Sequence, residues 1–195
     1  MEKVIRCEWA NSSKEMQQYH DNEWGVPVHN DHVHFEFLIL EAAQAGLTWA
    51  TILKKRKGYK KAFANFDPVK VSKFNNSKVK ELMANPEIIR NKLKIESAIN
   101  NAGNFLKIQK EFGSFNTYIW QFVNSKPINK KLKSINQIPS KSDLSVLISK
   151  DLKKRGFKFI GATIIYAYMQ AVGLVNDHTT KCHCHYKCNK IMVCH

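Results

Sequence analysis

The sequence predicts an all-α protein, and three observations support this. Apolar residues recur at helical i, i+3 and i+4 steps, as at Phe35, Leu38, Ile39 and Ala42. No segment shows the sustained alternation or the density of Val, Ile and Thr that is typical of a strand. Glycines, prolines and capping residues separate the periodic segments into short helices. Because 44% of its 195 residues are apolar, the chain should form an ordered globular protein.

Local sequence signals predict two helices in the first third of the chain. The segment from Phe35 to Gln44 is apolar nearly all round, which indicates a buried helix, and Gly46 is placed to end it. Thr48 is placed to cap a second helix, which begins at Trp49 and runs towards residue 66.

The rest of the chain continues as short helices. Asp67 followed by Pro68 is a cap with proline at the first helical position. Further helical segments are expected near 79–83, 93–112 and 118–123, before a polar, proline-containing loop over 125–142. Two last helices, 144–155 and 162–172, are separated by a glycine-bounded hairpin.

Charge and composition restrict the function classes. Lys and Arg number 31 against 16 acidic residues, and a net charge of +15 favours a polyanionic partner, first of all nucleic acid. A compositional bias that places lysines on solvated faces is the alternative. The N-terminus lacks the apolar stretch of a signal peptide, and no apolar run is long enough to span a bilayer, so we expect a cytoplasmic protein.

Four residues near the two ends of the chain form the ligand set that structural zinc prefers: Cys7, His20, His178 and Cys182. The last two have the i, i+4 spacing that brings side chains to one side of a helical turn. A chain with five Cys and eight His also offers such quartets by chance. If all four meet at one ion, the termini are joined and no position remains open for catalysis.

The hairpin between the last two helices has glycines five residues apart, Gly156 and Gly161. Backbone amides that begin the following helix, near Thr163, can bind a phosphate oxygen, with Lys158 adding positive charge. A DNA backbone would fit this site. An ordinary tight turn between two helices is the alternative.

Glu41 is a carboxylate inside the most hydrophobic helix. An unpaired buried carboxylate is costly, so Glu41 must be salt-bridged, protonated with a raised pKa, or paired with a ligand. Four aromatic residues, Trp9, Tyr19, Trp24 and Trp49, lie within the first 49 residues and could either stack on a planar base or belong to the core.

Four ordered motifs carry a resemblance to a known family. They are YHDNEWG at 19–25, LEAAQAGLTWATILKKR at 40–56, KKRGFKFIG at 153–161 and GLVNDH at 173–178. In order and spacing the chain resembles bacterial 3-methyladenine DNA glycosylase I, from about Cys7 to Cys182. Motifs of this length are highly specific.

The resemblance implies the helix-hairpin-helix DNA glycosylase superfamily, a two-lobed all-α architecture in which one structural zinc per chain joins the terminal segments through the four ligands above. It implies a monomeric, nucleoid-associated repair enzyme that flips 3-methyladenine out of alkylated double-stranded DNA, hydrolyses its N-glycosidic bond and releases the free base. Residues 1–182 would form one catalytic unit, with the helix-hairpin-helix at about 144–172.

The resemblance also assigns site residues. Glu41 matches the pocket carboxylate that hydrogen-bonds the base, Tyr19 and Trp49 match residues that stack on or frame it, and Trp9 lies close by. The positions that match the loop probing the duplex are Gln44, Gly46 and Leu47. The hairpin residues Gly156, Lys158, Gly161 and Thr163 would contact the DNA backbone.

The chain departs from the family pattern in two places. Met16 stands where an aromatic residue often borders the pocket, and a Cys- and His-rich tail over 183–195 extends past the last motif, either disordered or competing for metal. Many superfamily members carry an aspartate in a Val-Asp segment after the hairpin, whereas the corresponding run here is VNDH at 175–178. Asp177 precedes a predicted zinc ligand and can point elsewhere. A non-enzymatic, zinc-stapled DNA-binding protein is the alternative function.

Overall fold

A computed structural model describes residues 4–191 and confirms a mostly helical protein. Ten α-helices lie in this part of the chain: α1 (Lys14–Asn22), α2 (Asp31–Gln44), α3 (Trp49–Ala62), α4 (Pro68–Val71), α5 (Asn76–Ala84), α6 (Lys92–Phe112), α7 (Phe115–Trp120), α8 (Asp143–Lys154), α9 (Ala162–Ala171) and α10 (His183–Ile191). Short 3-10 turns occupy Glu8–Ser12, Ala64–Phe66, Gln121–Val123 and Ile135–Gln137.

The predicted helix boundaries follow from local chemistry. Thr48 Oγ1 accepts a hydrogen bond from the Thr51 amide, and so caps α3. Asp67 accepts from the amides of Val69 and Lys70 and begins α4 before Pro68, as its Asp-Pro sequence predicts. The helix that starts at Trp49 ends at Ala62 and continues only as a 3-10 turn, short of the expected residue 66.

Helix α2 is the central element of the core. It packs against α3, α6, α7 and α9, and all of its residues from 37 to 43 are buried. This burial agrees with a helix that is apolar nearly all round. Among the described residues, no helix is long and apolar enough to cross a membrane.

Two further features differ from the sequence-based expectations. A two-stranded parallel ladder pairs β1 (Ile128–Asn129) with β2 (Val175–Asn176), although no strand pattern is visible in either segment. In the tail, His183–Ile191 forms a helix that the sequence analysis did not expect, and Cys184 and Cys188 on it are buried. Cys194 and His195 lie outside the described residues.

The last two helices form a tight unit. Helices α8 and α9 pack against each other and are joined by residues 155–161. Gly156 has a φ of 86°, a left-handed conformation that favours glycine, and it ends the α8 segment as predicted. The turn is fixed to α6, where Asn101 Nδ2 donates to the Lys158 carbonyl and Asn101 Oδ1 accepts from the Lys158 amide.

Candidate functional site

A cavity of about 430 Å³ opens between the N-terminal helices and α9. Its wall combines aromatic side chains with a few polar ones and consists of Trp9, Met16, Tyr19, Trp24, Glu41, Gln44, Trp49, Ile135, Ile138, Ala167 and Gln170. The size and the mixture of apolar walls with few polar groups suit a planar heterocycle.

Among the described residues that line this wall, Glu41 is the only acidic one, and it is only 4% exposed. No hydrogen bond or ion pair to Glu41 occurs within residues 4–191. Burial raises the pKa of the Glu41 carboxyl to about 8. By contrast Glu36, on the same helix, accepts a 2.6 Å hydrogen bond from Arg56 Nε. The sequence left three possibilities for the buried Glu41 carboxyl, and of these the salt bridge is therefore wrong.

The predicted aromatic residues meet at this cavity. The rings of Tyr19 and Trp49 are 5.2 Å apart between centroids, and Trp9 lies 6.3 Å from Tyr19. Burial and the neighbouring Glu41 charge raise the pKa of Tyr19 well above its ordinary value, so its hydroxyl remains a neutral donor. Met16 also lines the cavity, where its flexible thioether replaces an aromatic wall.

A second cavity of about 200 Å³ adjoins the first and shares Glu41, Gln44 and Ala167 with it. Its other lining residues are Ala45, Gly46, Leu47, Thr163 and Ile164. The structure thus brings the 44–47 loop and the N-terminal turn of α9 to one edge of the pocket. Lys94 Nζ donates to the carbonyls of Ala43 and Ala45 and fixes this loop to α6.

The hairpin lies at the same end of α9. Gly161 precedes the helix with no side chain to cap it, and a Cβ there would meet no atom within 4 Å. The first amides of α9 are therefore free of a side-chain cap, as an anion site requires. Lys158 is exposed beside this turn.

The structure brings together the four residues that the sequence proposed as metal ligands. Cys7, His20, His178 and Cys182 are buried, and their donor atoms lie within 4.8 Å of one another. Cys182 Sγ is 3.4 Å from His20 Nε2 and 3.5 Å from His178 Nδ1, while Cys7 Sγ is 3.7 Å from His178 Nδ1. Tetrahedral zinc with ordinary bond lengths requires sulfur and nitrogen ligands about 3.6 Å apart, so these residues fit the ion.

The surroundings of the cluster fit a metal as well. His20 Nδ1 is 2.8 Å from Asp21 Oδ1, and His178 Nε2 is 2.9 Å from the Trp24 carbonyl. Hydrogen bonds of this kind fix each imidazole tautomer and leave the other nitrogen free to bind a metal. Cys184 in the tail lies on the other side of the His20 ring, with Sγ 3.9 Å from His20 Nδ1, and forms a separate candidate ligand group with His20 and Asp21.

Sequence reasoning missed part of the pocket. Gln170 and Ala167 lie on one face of α9, and their i, i+3 spacing was the available signal. Ile135 and Ile138 come from the 125–142 segment, which was expected only to be a loop. No local pattern in that segment indicates which cavity it covers.

Comparisons with known proteins agree with this geometry. The family model described as methyladenine glycosylase matches residues 9–185. DNA-3-methyladenine glycosylase 1 of Escherichia coli (strain K12) is 44% identical over 180 residues, which cover 92% of this chain and 96% of the relative.

Solved structures give the same result. A crystal structure of 3-methyladenine DNA glycosylase I is 44% identical and superposes with a TM-score of 0.90, covering 93% of this chain and 100% of that one. A variant of 3-methyladenine DNA glycosylase I in complex with 3-methyladenine is 34% identical, with a TM-score of 0.89 and coverage of 91% and 96%. A pocket with one buried carboxylate and this degree of similarity together show that the chain belongs to the methyladenine glycosylase family.

Proposed function

We propose that this chain is a DNA repair glycosylase that flips 3-methyladenine out of alkylated double-stranded DNA and hydrolyses its N-glycosidic bond. The observation that carries the proposal is the unpaired Glu41 carboxyl, buried in a cavity that is otherwise largely apolar and aromatic. A buried carboxyl without a protein partner is costly, and a ligand that offers hydrogen-bond donors removes that cost. The names of the relatives and their bound base support the same substrate.

In this proposal Glu41 receives hydrogen bonds from the amino edge of the flipped base, while Tyr19 and Trp49 pack on its faces and Trp9 supports them. Such stacking contributes roughly 1–3 kcal/mol per base. A base alkylated at N3 carries positive charge, pairs and stacks weakly, and is a good leaving group, so flipping and binding supply most of the required selectivity.

Hydrolysis then needs no strong general acid. The C1′–N9 bond breaks with its electron pair moving to the base, which leaves as neutral 3-methyladenine. Water adds to the sugar carbon and its proton passes to solvent. The chain's task is to exclude normal bases and to stabilise the cationic sugar.

DNA binding is assigned to two neighbouring segments. We infer that α8, the 155–161 turn and α9 act as a helix-hairpin-helix, in which Gly156, Lys158, Gly161 and Thr163 contact the phosphate backbone. The 44–47 loop, with Gln44, Gly46 and Leu47, would enter the duplex where the base has left. Leu47 is 41% exposed, which is unusual for a large apolar side chain and suits insertion between base pairs.

The architecture inferred here has two lobes with the pocket between them. The pocket walls support this, since Tyr19, Glu41 and Trp49 belong to the N-terminal helices whereas Ala167 and Gln170 belong to α9. Residues 1–182 would form one catalytic unit that works as a monomer. The net charge of +15 favours association with nucleoid DNA.

One structural zinc per chain, held by Cys7, His20, His178 and Cys182, completes the proposal. Bound there, the ion would join the segment before α1 to the segment after β2, and four protein ligands would leave it no catalytic role. Trp24 lines the pocket and also contacts His178 through its carbonyl, so the cluster supports one pocket wall.

The direct test is to incubate the protein with methylated duplex DNA and identify the released base. We expect free 3-methyladenine from the treated duplex and none from untreated duplex. Binding to both duplexes without release would instead support the non-enzymatic, zinc-stapled DNA-binding protein.

A further inference from the structure

The side-chain amide of Gln170 borders the pocket, and a hydrogen bond to Asp177 holds it in one orientation. Gln170 Nε2 donates a 2.9 Å hydrogen bond to Asp177 Oδ2, and the same oxygen accepts a 2.6 Å bond from the Tyr166 hydroxyl. A carboxylate can only accept hydrogen bonds, so the amide nitrogen must face Asp177. The amide oxygen, Oε1, consequently points the other way and accepts no hydrogen bond within residues 4–191.

Asp177 makes this oxygen more negative than that of an ordinary amide. Its side chain is buried beside β2, with 1% exposure, and its second oxygen, Oδ1, has no hydrogen-bond partner among the described residues. Hydrogen bonds in series polarise one another in a low-dielectric interior. Donation from Gln170 to Asp177 therefore moves negative charge towards Oε1 without placing a second carboxylate in the pocket.

Helix α9 connects this amide with the proposed DNA-binding edge. Thr163 lines the outer cavity, Ala167 borders both cavities and Gln170 borders the inner one, at steps of four and three residues along one helix face. A nucleotide whose phosphate is held at the N-terminus of α9 would present its sugar between that end and the base pocket.

We propose that Gln170 Oε1 stabilises the positive charge that develops on the deoxyribose and orients the attacking water. The inference rests on the proposed function, in which Glu41 already takes the donor edge of the base. As the C1′–N9 bond breaks, its electron pair neutralises the departing base and the positive charge moves to the sugar. From the pocket side of that sugar, the polarised amide oxygen would stabilise the charge and accept a hydrogen bond from the water, whose proton finally passes to solvent.

The test separates chemistry from base binding. Gln170→Met keeps the approximate size of the side chain and removes the amide, and Gln121→Met makes the same change on an exposed turn as the matched control. We expect Gln170→Met to lower the single-turnover rate of 3-methyladenine release by at least about tenfold; loss of one preorganised oxyanion-hole donor typically costs about a hundredfold to a thousandfold. Affinities for free 3-methyladenine and for methylated duplex should stay within about twofold.

Two results would overturn the proposal. An unchanged release rate makes Gln170 a passive part of the wall, and a parallel loss of free-base affinity makes it a base contact instead. If Gln170→Met does not fold, Gln170→Asn retains an amide but withdraws its oxygen by one methylene, and the same rate and binding comparison applies to it. Failure of the proposed function is distinguishable, because then the unmodified protein itself releases no base.

Discussion

Replacing the buried Glu41 by Gln should stabilise the free protein at alkaline pH. Burial raises the Glu41 pKa from 4.5 to about 8. Between these two values the folded protein binds a proton that the unfolded chain has released, so the free energy of unfolding falls as pH rises through this window. The contribution of the protonated Glu41 to the free energy of unfolding is complete below pH 4.5 and is lost above about pH 8.

The magnitude follows from the difference between the two pKa values. Each unit corresponds to 1.36 kcal/mol, so the span from 4.5 to about 8 gives roughly 5 kcal/mol as an upper figure, and about 4 kcal/mol between pH 5 and pH 8.5. Glutamine has the same shape and no charge to desolvate. Glu41→Gln should therefore match the parent at pH 5 and exceed its stability by about 4 kcal/mol at pH 8.5.

Urea unfolding of both proteins at several pH values between 5 and 9, at constant zinc concentration, measures this difference from the transition midpoints. Glu36→Gln is the matched control, because Glu36 lies on the same helix but is paired with Arg56, and its loss should give no gain at pH 8.5. Parallel stability profiles for the parent and Glu41→Gln would refute the reasoning. In the same preparations, Glu41→Gln should bind 3-methyladenine more weakly and excise it more slowly. The carboxyl whose replacement stabilises the free protein is the group that we assign to hydrogen bonding with the base.

Three further predictions concern the metal, the hairpin and the backbone. Cys7→Ser and His178→Ala should each lose zinc by metal analysis and unfold at lower temperature; one retained equivalent in both would shift the assignment to the Cys-rich tail. Gly161→Val should keep the fold, since a side chain there meets open space, yet weaken binding to all duplexes alike at matched salt; unchanged affinity would exclude the hairpin as the phosphate site. Gly173→Ala should destabilise the protein by more than about 2 kcal/mol, because φ is +71° and the new Cβ would overlap backbone atoms. Gly103→Ala, in open space within α6, should instead be neutral or stabilising by up to about 1 kcal/mol, and equal effects of the two changes would contradict this argument.

The sequence alone determined the helical class and several helix boundaries, and it supplied the residue types of the candidate metal cluster. Helix caps such as Thr48 and Asp67 act within one turn, so their hydrogen bonds follow from local spacing. The apolar circumference of α2 predicted its burial, and the presence of a carboxylate there singled out Glu41 before any contact was known. For the candidate metal cluster, the sequence could not decide whether the pair near the N-terminus and the pair near the C-terminus meet at one ion or occur together by chance.

The tertiary structure decided everything that depends on segments far apart in the chain. The β1–β2 ladder pairs residues 128–129 with 175–176, and neither segment carries a strand pattern because the pairing comes from packing beside α9 rather than from local preference. The orientation of Gln170 depends in the same way on Asp177, seven residues later and beyond the end of the helix. A local pattern specifies which face of a helix is apolar, but only the packed chain specifies which polar group that face brings to the pocket.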